Sequence, residues 1–478
     1  MIEEPNDRSD GENGAVKIPG SFRDPSGFMF KKNEVLYRQV NHVYREHYAQ
    51  LINSGLYNLL VERGFLIAHQ EVDGIVSSKA AYKVLEPKPI DFISYPYEWC
   101  FSQLKDAALL TLEIQKIALN HDMTLKDASA YNIQFEHGRP LFIDTLSFER
   151  YQEGQPWVAY RQFCQHFLAP LSLMAKTDIS LNKLLVTNID GIPLDLASAI
   201  LPRSTWLRLG LALHLHIHAK TQRAFSATNH MDDSHKKHKQ RPVSKVGLLG
   251  ILNSLQKTVI KLQWMAKGTE WGGYYGATNY SETAFEKKIS KVKDYIEIIK
   301  PKNVWDLGGN IGVFSRIASN MNIPTVSFDI DPAAVEINYR ETREKKEKTI
   351  LPLLLDLTNP SPGIGWDCRE RSSLVQRGPA ECIMALALIH HISISNNVPF
   401  ENTATFFSKL CKFLIIEFVP KEDSQVQRLL RSRKDIFSHY DQANFEAAFM
   451  RYFNIERVEN ISGSARKLFL MQKQEVQQ

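Results

Sequence analysis

Val304-Trp305-Asp306-Leu307-Gly308-Gly309-Asn310-Ile311-Gly312 carries an apolar run straight into a group of glycines, and VFSRIASN follows with the spacing of a helix. The glycines therefore sit at a strand-to-helix turn. Glycine there lets the backbone approach a ligand closely, and Asp306 falls at the carboxyl end of the strand, where open α/β sheets bind ligands. Seventeen residues past Gly312 a second apolar strand, TVSFDI, finishes in Asp329, with Asp331 two positions on. A carboxylate at that strand end is placed to accept hydrogen bonds from two ribose hydroxyls. A third strand, ILPLLLDL, closes on Asp356 and Leu357.

Outward from this turn the chain alternates. A helix, FEKKISKVKDYIEII, precedes the first strand. Helix AAVEINYRETREK separates the second from the third, and strand CIMALAL, helix TATFFSKLCK, strand FLIIEFV and helix EDSQVQRLLRSR continue the series. Strands alternating with helices imply right-handed crossovers and a parallel sheet covered on both faces. The closing segment, FNIERVENISGSARKLFLMQ, reads as two strands joined through Gly463, an antiparallel hairpin that completes the sheet.

A dinucleotide site would call for G-x-G-x-x-G, but Gly308, Gly309 and Gly312 stand in a different phase. D-x-G-x-N-x-G, an acid ending strand two and Leu355-Asp356 ending strand three resemble the class I S-adenosylmethionine-dependent methyltransferases. The resemblance covers about residues 270–473 and implies a Rossmann-like, seven-stranded mixed sheet at the carboxyl end of the chain. It further implies S-adenosyl-L-methionine as cofactor, with Asp306, Gly308, Gly309, Asn310 and Gly312 at the turn facing the methionine portion. Asp329 would bind ribose and Asp356 the adenine amino group, with Leu357 packed beside it. Asn310 stands where many members have glycine. Upstream, Trp271-Gly272-Gly273-Tyr274-Tyr275 and Asn279-Tyr280 approach the domain, and Tyr280 or Tyr275 is a candidate cover for the methionine end.

The residues after strand four bear on the acceptor. Ala385-Leu386-Ala387-Leu388-Ile389-His390-His391-Ile392 contains neither an N/D-P-P-Y signature nor a Pro-Cys nucleophile. Its L-x-x-H-H pattern resembles that of methyltransferases acting on small molecules, where a histidine borders the acceptor. His390 and His391 are candidate bases, since imidazole titrates near neutrality; the alternative is that one packs in the pocket wall and the other is solvated. Glu417, ending strand five, either binds acceptor or pairs with Lys421 or an arginine, because a lone buried glutamate is costly. The insertion 358–380, with Trp366, Arg369, Arg371 and Arg377, is either a lid or a surface loop.

The front half reads differently. Residues 1–22 are polar and read as a flexible tail; 23–224 form a mixed α+β domain with a long helix within 97–121 and a tight hairpin through His137-Gly138. Residues 225–245 have a linker's composition, 246–282 form a connecting helix and cofactor-covering segment, and 283–478 form the methyltransferase-like domain. Asp127 and Asn132, followed by Asp144, resemble the catalytic loop and metal-binding segment of kinase-like phosphotransferases. Leu125 replaces the usual histidine, Thr145 stands where an aromatic follows, no glycine-rich phosphate loop precedes them in the sequence, and Lys83 is a candidate phosphate-pairing lysine. Ser94-Tyr95-Pro96-Tyr97-Glu98-Trp99 resembles a bacterial methyltransferase group related to nodulation proteins, which implies a partner domain that helps present the acceptor. His214, His216 and His218 read as helical, where only His214 and His218 share a face, so no metal is assigned to them. The run Lys236, Lys237, Lys239 and Arg241 reads as solvated linker.

Composition bounds these readings. With 44% hydrophobic and 23% charged residues the 478-residue chain has the balance of a globular protein, and its net charge of +5 does not by itself argue for nucleic acid. No run approaches the roughly 18 to 20 apolar residues of a membrane span, and the acidic start is unlike a secretory signal. Five cysteines without a C-x-x-C pair suit a reducing cytoplasm. The expectation is a cytoplasmic enzyme transferring methyl groups to a small-molecule or glycan acceptor. The competing readings are an RNA methyltransferase and a non-catalytic, adenosyl-ligand-binding or pseudokinase-like interaction protein.

Overall fold

The computed structural model describes residues 14–75, 78–221, 242–266, 282–431, 433–461 and 463–475. Its carboxyl-terminal sheet is built from β10 (Val304–Leu307), β11 (Thr325–Asp329), β12 (Ile350–Leu354), β13 (Ala380–Ala385), β14 (Cys411–Phe418), β15 (Phe453–Asn460) and β16 (Lys467–Lys473). The strand order is β12-β11-β10-β13-β14-β16-β15. The first five are mutually parallel, while β16 runs antiparallel between β14 and β15. The expected Rossmann-like seven-stranded mixed sheet of a class I methyltransferase is therefore present, with its closing hairpin inserted so that the last strand lies next to β14. Every residue of β10 and β11 is buried, as a parallel sheet covered on both faces requires.

Local chemistry fixes the crossovers. The helix Pro332–Lys345 begins where Asp331 accepts hydrogen bonds from the amides of Ala333 and Ala334, with proline at the first helical position. The β10-to-β11 crossover carries the short helix Ser315–Ser319, and Phe400–Leu410 delivers the chain into β14.

The front half carries a five-stranded antiparallel sheet in the order β1-β2-β3-β5-β4, from β1 (Val16–Lys17), β2 (Gly27–Lys32), β3 (Val35–Asn41), β4 (His69–Val72) and β5 (Ala81–Pro87). Because β1 pairs with β2, part of the stretch expected to be a flexible tail is a strand; residues 1–13 lie outside the described residues. The long helix spans Phe101–Asn120. Below it, β6 (Met123–Leu125) pairs with β9 (Phe148–Arg150), and β7 (Ile133–Glu136) with β8 (Arg139–Phe142). The last two turn through His137 and Gly138, both at positive φ, as a two-residue hairpin requires. Of the stretch expected as linker, 225–241 lies outside the described residues, and its end is ordered: Val243 pairs with Gly154, and Ser244 caps the helix Lys245–Lys261.

The core does not stop between the halves. Phe92 meets Trp305 and Phe328 edge-on at ring separations of 5.4 and 5.8 Å, and Phe135 meets Tyr339 at 5.8 Å. Polar contacts follow the same seam. Glu98 and Arg377, both buried, pair at 2.5 Å; Ser102 donates to Glu336; Gln103 donates to the carbonyl of Pro352 at 2.9 Å. The insertion between β12 and β13 is docked on this seam, with Arg23 on Glu370 at 2.7 Å and the Arg371 guanidinium 4.2 Å from the Tyr131 ring centre. Neither a free lid nor a solvated loop describes it, although Trp366 itself is exposed.

Candidate active site

At the carboxyl ends of β10, β11 and β13 lies a cavity of about 300 Å³, lined on the first strand by Gly308 and Asn310, on the second by Phe328 and Asp329, and beyond β12 by Leu355 to Thr358. Leu386 to Leu388, His391, Ile392, Ser395 and Asn396 close the side after β13, and Leu429 reaches in from the helix Ser424–Leu430.

The turn after β10 is built as the glycine spacing suggests. Gly308, Asn310 and Gly312 all have positive φ (79°, 50° and 83°), so asparagine, a residue that tolerates the left-handed region, adopts it here. The amides of Gly308 and Gly309 both donate to the carbonyl of Phe328, at 2.9 and 2.8 Å, which ties the turn to the neighbouring strand. A Cβ on Gly309 would come within 2.5 Å of Ser327 Oγ. Gly309, Gly312 and Asp306 do not line the cavity; they shape the turn from beneath. Asp306 is buried, accepts from Ser315 Oγ at 2.6 Å, and burial pushes its pKa up to about 7.

Asp329 occupies the wall. Its Oδ2 accepts from the Asn310 amide and its Oδ1 from the Asp331 amide, both at 2.8 Å, so each oxygen keeps a further lone pair for a ligand. Burial raises its pKa to about 6, against the stabilising pull of those amides. Asp356 Oδ1 accepts from the Thr358 amide and hydroxyl at 2.9 and 2.6 Å, and Oδ2 accepts no hydrogen bond among the described residues. Leu357 lines the cavity beside it. Tyr280, with Tyr275 and Trp271, lies outside the described residues.

Of the two candidate bases, the structure brings only His391 to the cavity. Burial, and then the charge of Arg466, lower its pKa to about 4, so it is neutral at physiological pH. His390 lies behind it with ring centres 4.1 Å apart and planes tilted by 40°, is buried and does not line the cavity; burial holds its pKa well below the usual imidazole range. Glu417 is also withdrawn. It pairs with Lys288 at 2.7 Å, accepts from the Ala387 amide at 2.7 Å, and has Arg466 at 3.8 Å. Lys421, one partner considered for it, pairs instead with Asp435 at 2.7 Å. The glutamate thus fixes the main chain at Ala387, which lines the cavity at a positive φ of 51°. Sequence reading missed Ala387, Ser395, Asn396 and Leu429. The turn His391–Ser395 is a π-helix, a widening that periodicity does not signal and that is common at functional sites.

The kinase-like residues do come together, but on each other. Asp144 pairs with Arg38 at 2.7 Å and also accepts from Ser147 Oγ, to which the Asn132 amide donates at 3.2 Å; Asp127 accepts from the Ser129 amide at 2.8 Å. Lys83 pairs with Glu71 at 2.6 Å on the neighbouring strand. Two of the three histidines are spent on hydroxyls: His214 on Tyr160 and Ser254, His216 on Ser198 and Thr205.

No protein-family model matches the chain. Among solved structures, magnesium protoporphyrin IX methyltransferase (ChlM) from Synechocystis PCC 6803 with bound SAH aligns at 15% identity over 43% of this chain and 93% of that one, with a TM-score of 0.31. The N-methyltransferase NodS from Bradyrhizobium japonicum WM9 aligns at 11% identity over 41% and 99%, with a TM-score of 0.29. The bifunctional kinase-methyltransferase WbdD aligns at 13% identity over 45% of each chain, with a TM-score of 0.29. Among curated proteins, the nodulation protein NoeA of Rhizobium meliloti (strain 1021) is 34% identical over 469 residues, covering 96% of both chains. Similarity at that level through both halves, front domain and sheet alike, means that the chain belongs to the family of the nodulation protein NoeA.

Proposed function

We propose that the chain is an S-adenosylmethionine-dependent methyltransferase that acts on a small-molecule or glycan acceptor. The observation that carries this reading is the single cavity into which Asp329 and Asp356, ending successive strands, both face beside the open turn at Gly308 and Asn310. Its donor set fits the cofactor. Asp329 keeps lone pairs for ribose hydroxyls, Asp356 keeps Oδ2 for an exocyclic amine, and Phe328, Leu355 and Leu357 supply apolar surface for a base. When bound, S-adenosylmethionine supplies an electrophilic methyl group.

Such chemistry asks the protein mainly for positioning and water exclusion. Leu386, Leu388 and Ile392 make the far wall apolar, and His391 borders the acceptor's place as a neutral imidazole whose basicity burial lowers, which suits it to orient an acceptor hydroxyl or amine more than to take its proton. The absence of an N/D-P-P-Y signature after β13 favours neither nucleobase amines nor amides. The test is to incubate the full chain with methyl-labelled cofactor and separated small-molecule, glycan and RNA fractions. Label in the first two supports the reading, label in RNA alone contradicts the acceptor class, and tight cofactor binding with no labelled product favours a non-catalytic binding protein.

A further inference from the structure

Two packed helical segments in the front half are chemically unlike the rest of the surface. Residues 196–221 and 242–266 contain six Lys and Arg residues and no Asp or Glu, although 53 of the chain's 478 residues are acidic; Asp195 precedes the first segment in the helix Leu194–Ile200, and of the six cations Lys245 pairs with Asp122 at 3.1 Å. The segments pack directly: a Cβ on Gly210 would strike the side chain of Thr258, in the helix Lys245–Lys261. Their exposed side is apolar as well as basic. Leu207 and Leu209 are 90% and 84% exposed, and Leu213 and Ile217, four and eight residues beyond Leu209, carry the same face onward. Trp206 stacks on His216 at 4.4 Å, with Lys220 Nζ 4.5 Å from its ring centre, so the indole is held at the margin of the patch. Arg203 and Arg208 flank the leucines in the chain, and Lys257 and Lys261 stand on the second helix beside and one turn beyond Thr258, which packs at Gly210; all four are exposed.

Exposed leucines beside an indole, ringed by cations and with no carboxylate in either segment, match the surface that lies in the headgroup layer of an anionic bilayer. Apolar side chains enter the acyl boundary, and long cationic side chains reach the phosphates. No helix among the described residues is long and apolar enough to cross a membrane, so the contact is with a surface. We propose that this face, centred on Leu207 and Leu209, docks the protein on an anionic lipid bilayer. A second copy of the chain would bury the same leucines but would set cation against cation, whereas a bilayer of one charge sign complements the Lys and Arg residues of both segments.

The test is co-sedimentation of the full chain with vesicles of phosphatidylcholine alone or containing about a third phosphatidylglycerol. The account expects binding to the anionic vesicles at low salt, at least tenfold weaker binding to the neutral ones, and release at high salt. L207D/L209D, at the most exposed positions, is expected to weaken binding at least tenfold while the thermal unfolding midpoint stays at the wild-type value. R203E/R208E removes the salt-sensitive part with the leucines intact. Equal binding to both vesicle types, undiminished binding by L207D/L209D, or no vesicle binding together with a dimer that L207D/L209D dissociates would overturn the proposal.

Discussion

Glu417 is the residue whose removal separates a structural charge from a catalytic one. Its side chain is 0% exposed and that of its partner Lys288 3%, with a separation of 2.7 Å. Arg466, also buried, keeps Asp423 at 2.7 Å in Glu417→Gln, so the loss falls chiefly on Lys288, whose carboxylate at 2.7 Å is gone. Breaking a buried pair from one side costs about 3–5 kcal/mol. A second route to the magnitude agrees. Lys288 can escape by losing its proton, which from an ordinary lysine pKa costs at most about 5 kcal/mol at pH 7, and burial already lowers its pKa. The glutamine oxygen still accepts from the Ala387 amide, so the cavity wall survives. With both halves unfolding as one unit of 478 residues, at ~1 °C per kcal/mol, the unfolding midpoint of E417Q is expected to drop by roughly 3–5 °C, with cofactor affinity at low temperature within threefold of wild type. The pH dependence has a fixed sign. In the variant the folded pKa of Lys288 lies below its unfolded value, the unfolded chain binds more protons between the two, and the deficit shrinks as pH rises from 7 toward 10. A midpoint within a degree or two of wild type, followed by circular dichroism, would refute the reasoning.

Asp329→Asn is expected to weaken S-adenosylmethionine binding about tenfold or more, since hydrogen bonds to a charged acceptor contribute about 1.5–3 kcal/mol. Wild-type affinity should fall as pH drops below about 6, where Asp329 takes a proton, and the variant should show no such dependence in calorimetry. His390 and His391 have folded pKa values below the unfolded 6.5, so their neutral burial favours the fold above that pH and stability falls as pH drops from 6.5 toward 4. His390→Leu should flatten that acid slope by up to about 1.4 kcal/mol per pH unit in urea titrations. Glu98→Gln strands the buried guanidinium of Arg377 and is expected to cost ~3–5 kcal/mol, lowering a single transition shared by both halves; an unchanged midpoint would mean the seam is not a folding interface.

Local signals in this chain were legible where they are backbone-dictated. The glycine phase at 308–312 and the His137-Gly138 turn follow from φ requirements, and Asp329 and Asp356 from their place at strand ends and the family resemblance; the structure gives the turns their positive φ and sets both acids in the cavity wall. What sequence did not reveal is contact across distance. The partner of Glu417 comes from the helix ahead of β10, 129 residues earlier, and that of Glu98 from 279 residues later; no periodicity encodes either pairing. The same gap left Glu417 and His390 among the candidate catalytic groups, whereas neither lines the cavity. A polar residue in an apolar strand or turn has the same composition whether it meets a ligand or a buried counter-charge. The acid-free surface at 196–221 and 242–266 was visible as composition but had no meaning until the two segments proved to be neighbours.

The most direct test of the central claim is calorimetric titration of the purified full chain with S-adenosylmethionine and, separately, with magnesium-ATP. Asp329 and Asp356 facing one cavity predict saturable one-to-one binding of the first, competed by S-adenosylhomocysteine, while Asp144 already paired with Arg38 predicts no binding of the second. Saturable ATP binding with no heat from S-adenosylmethionine would contradict the account and move the chemistry to Asp127, Asn132 and Asp144.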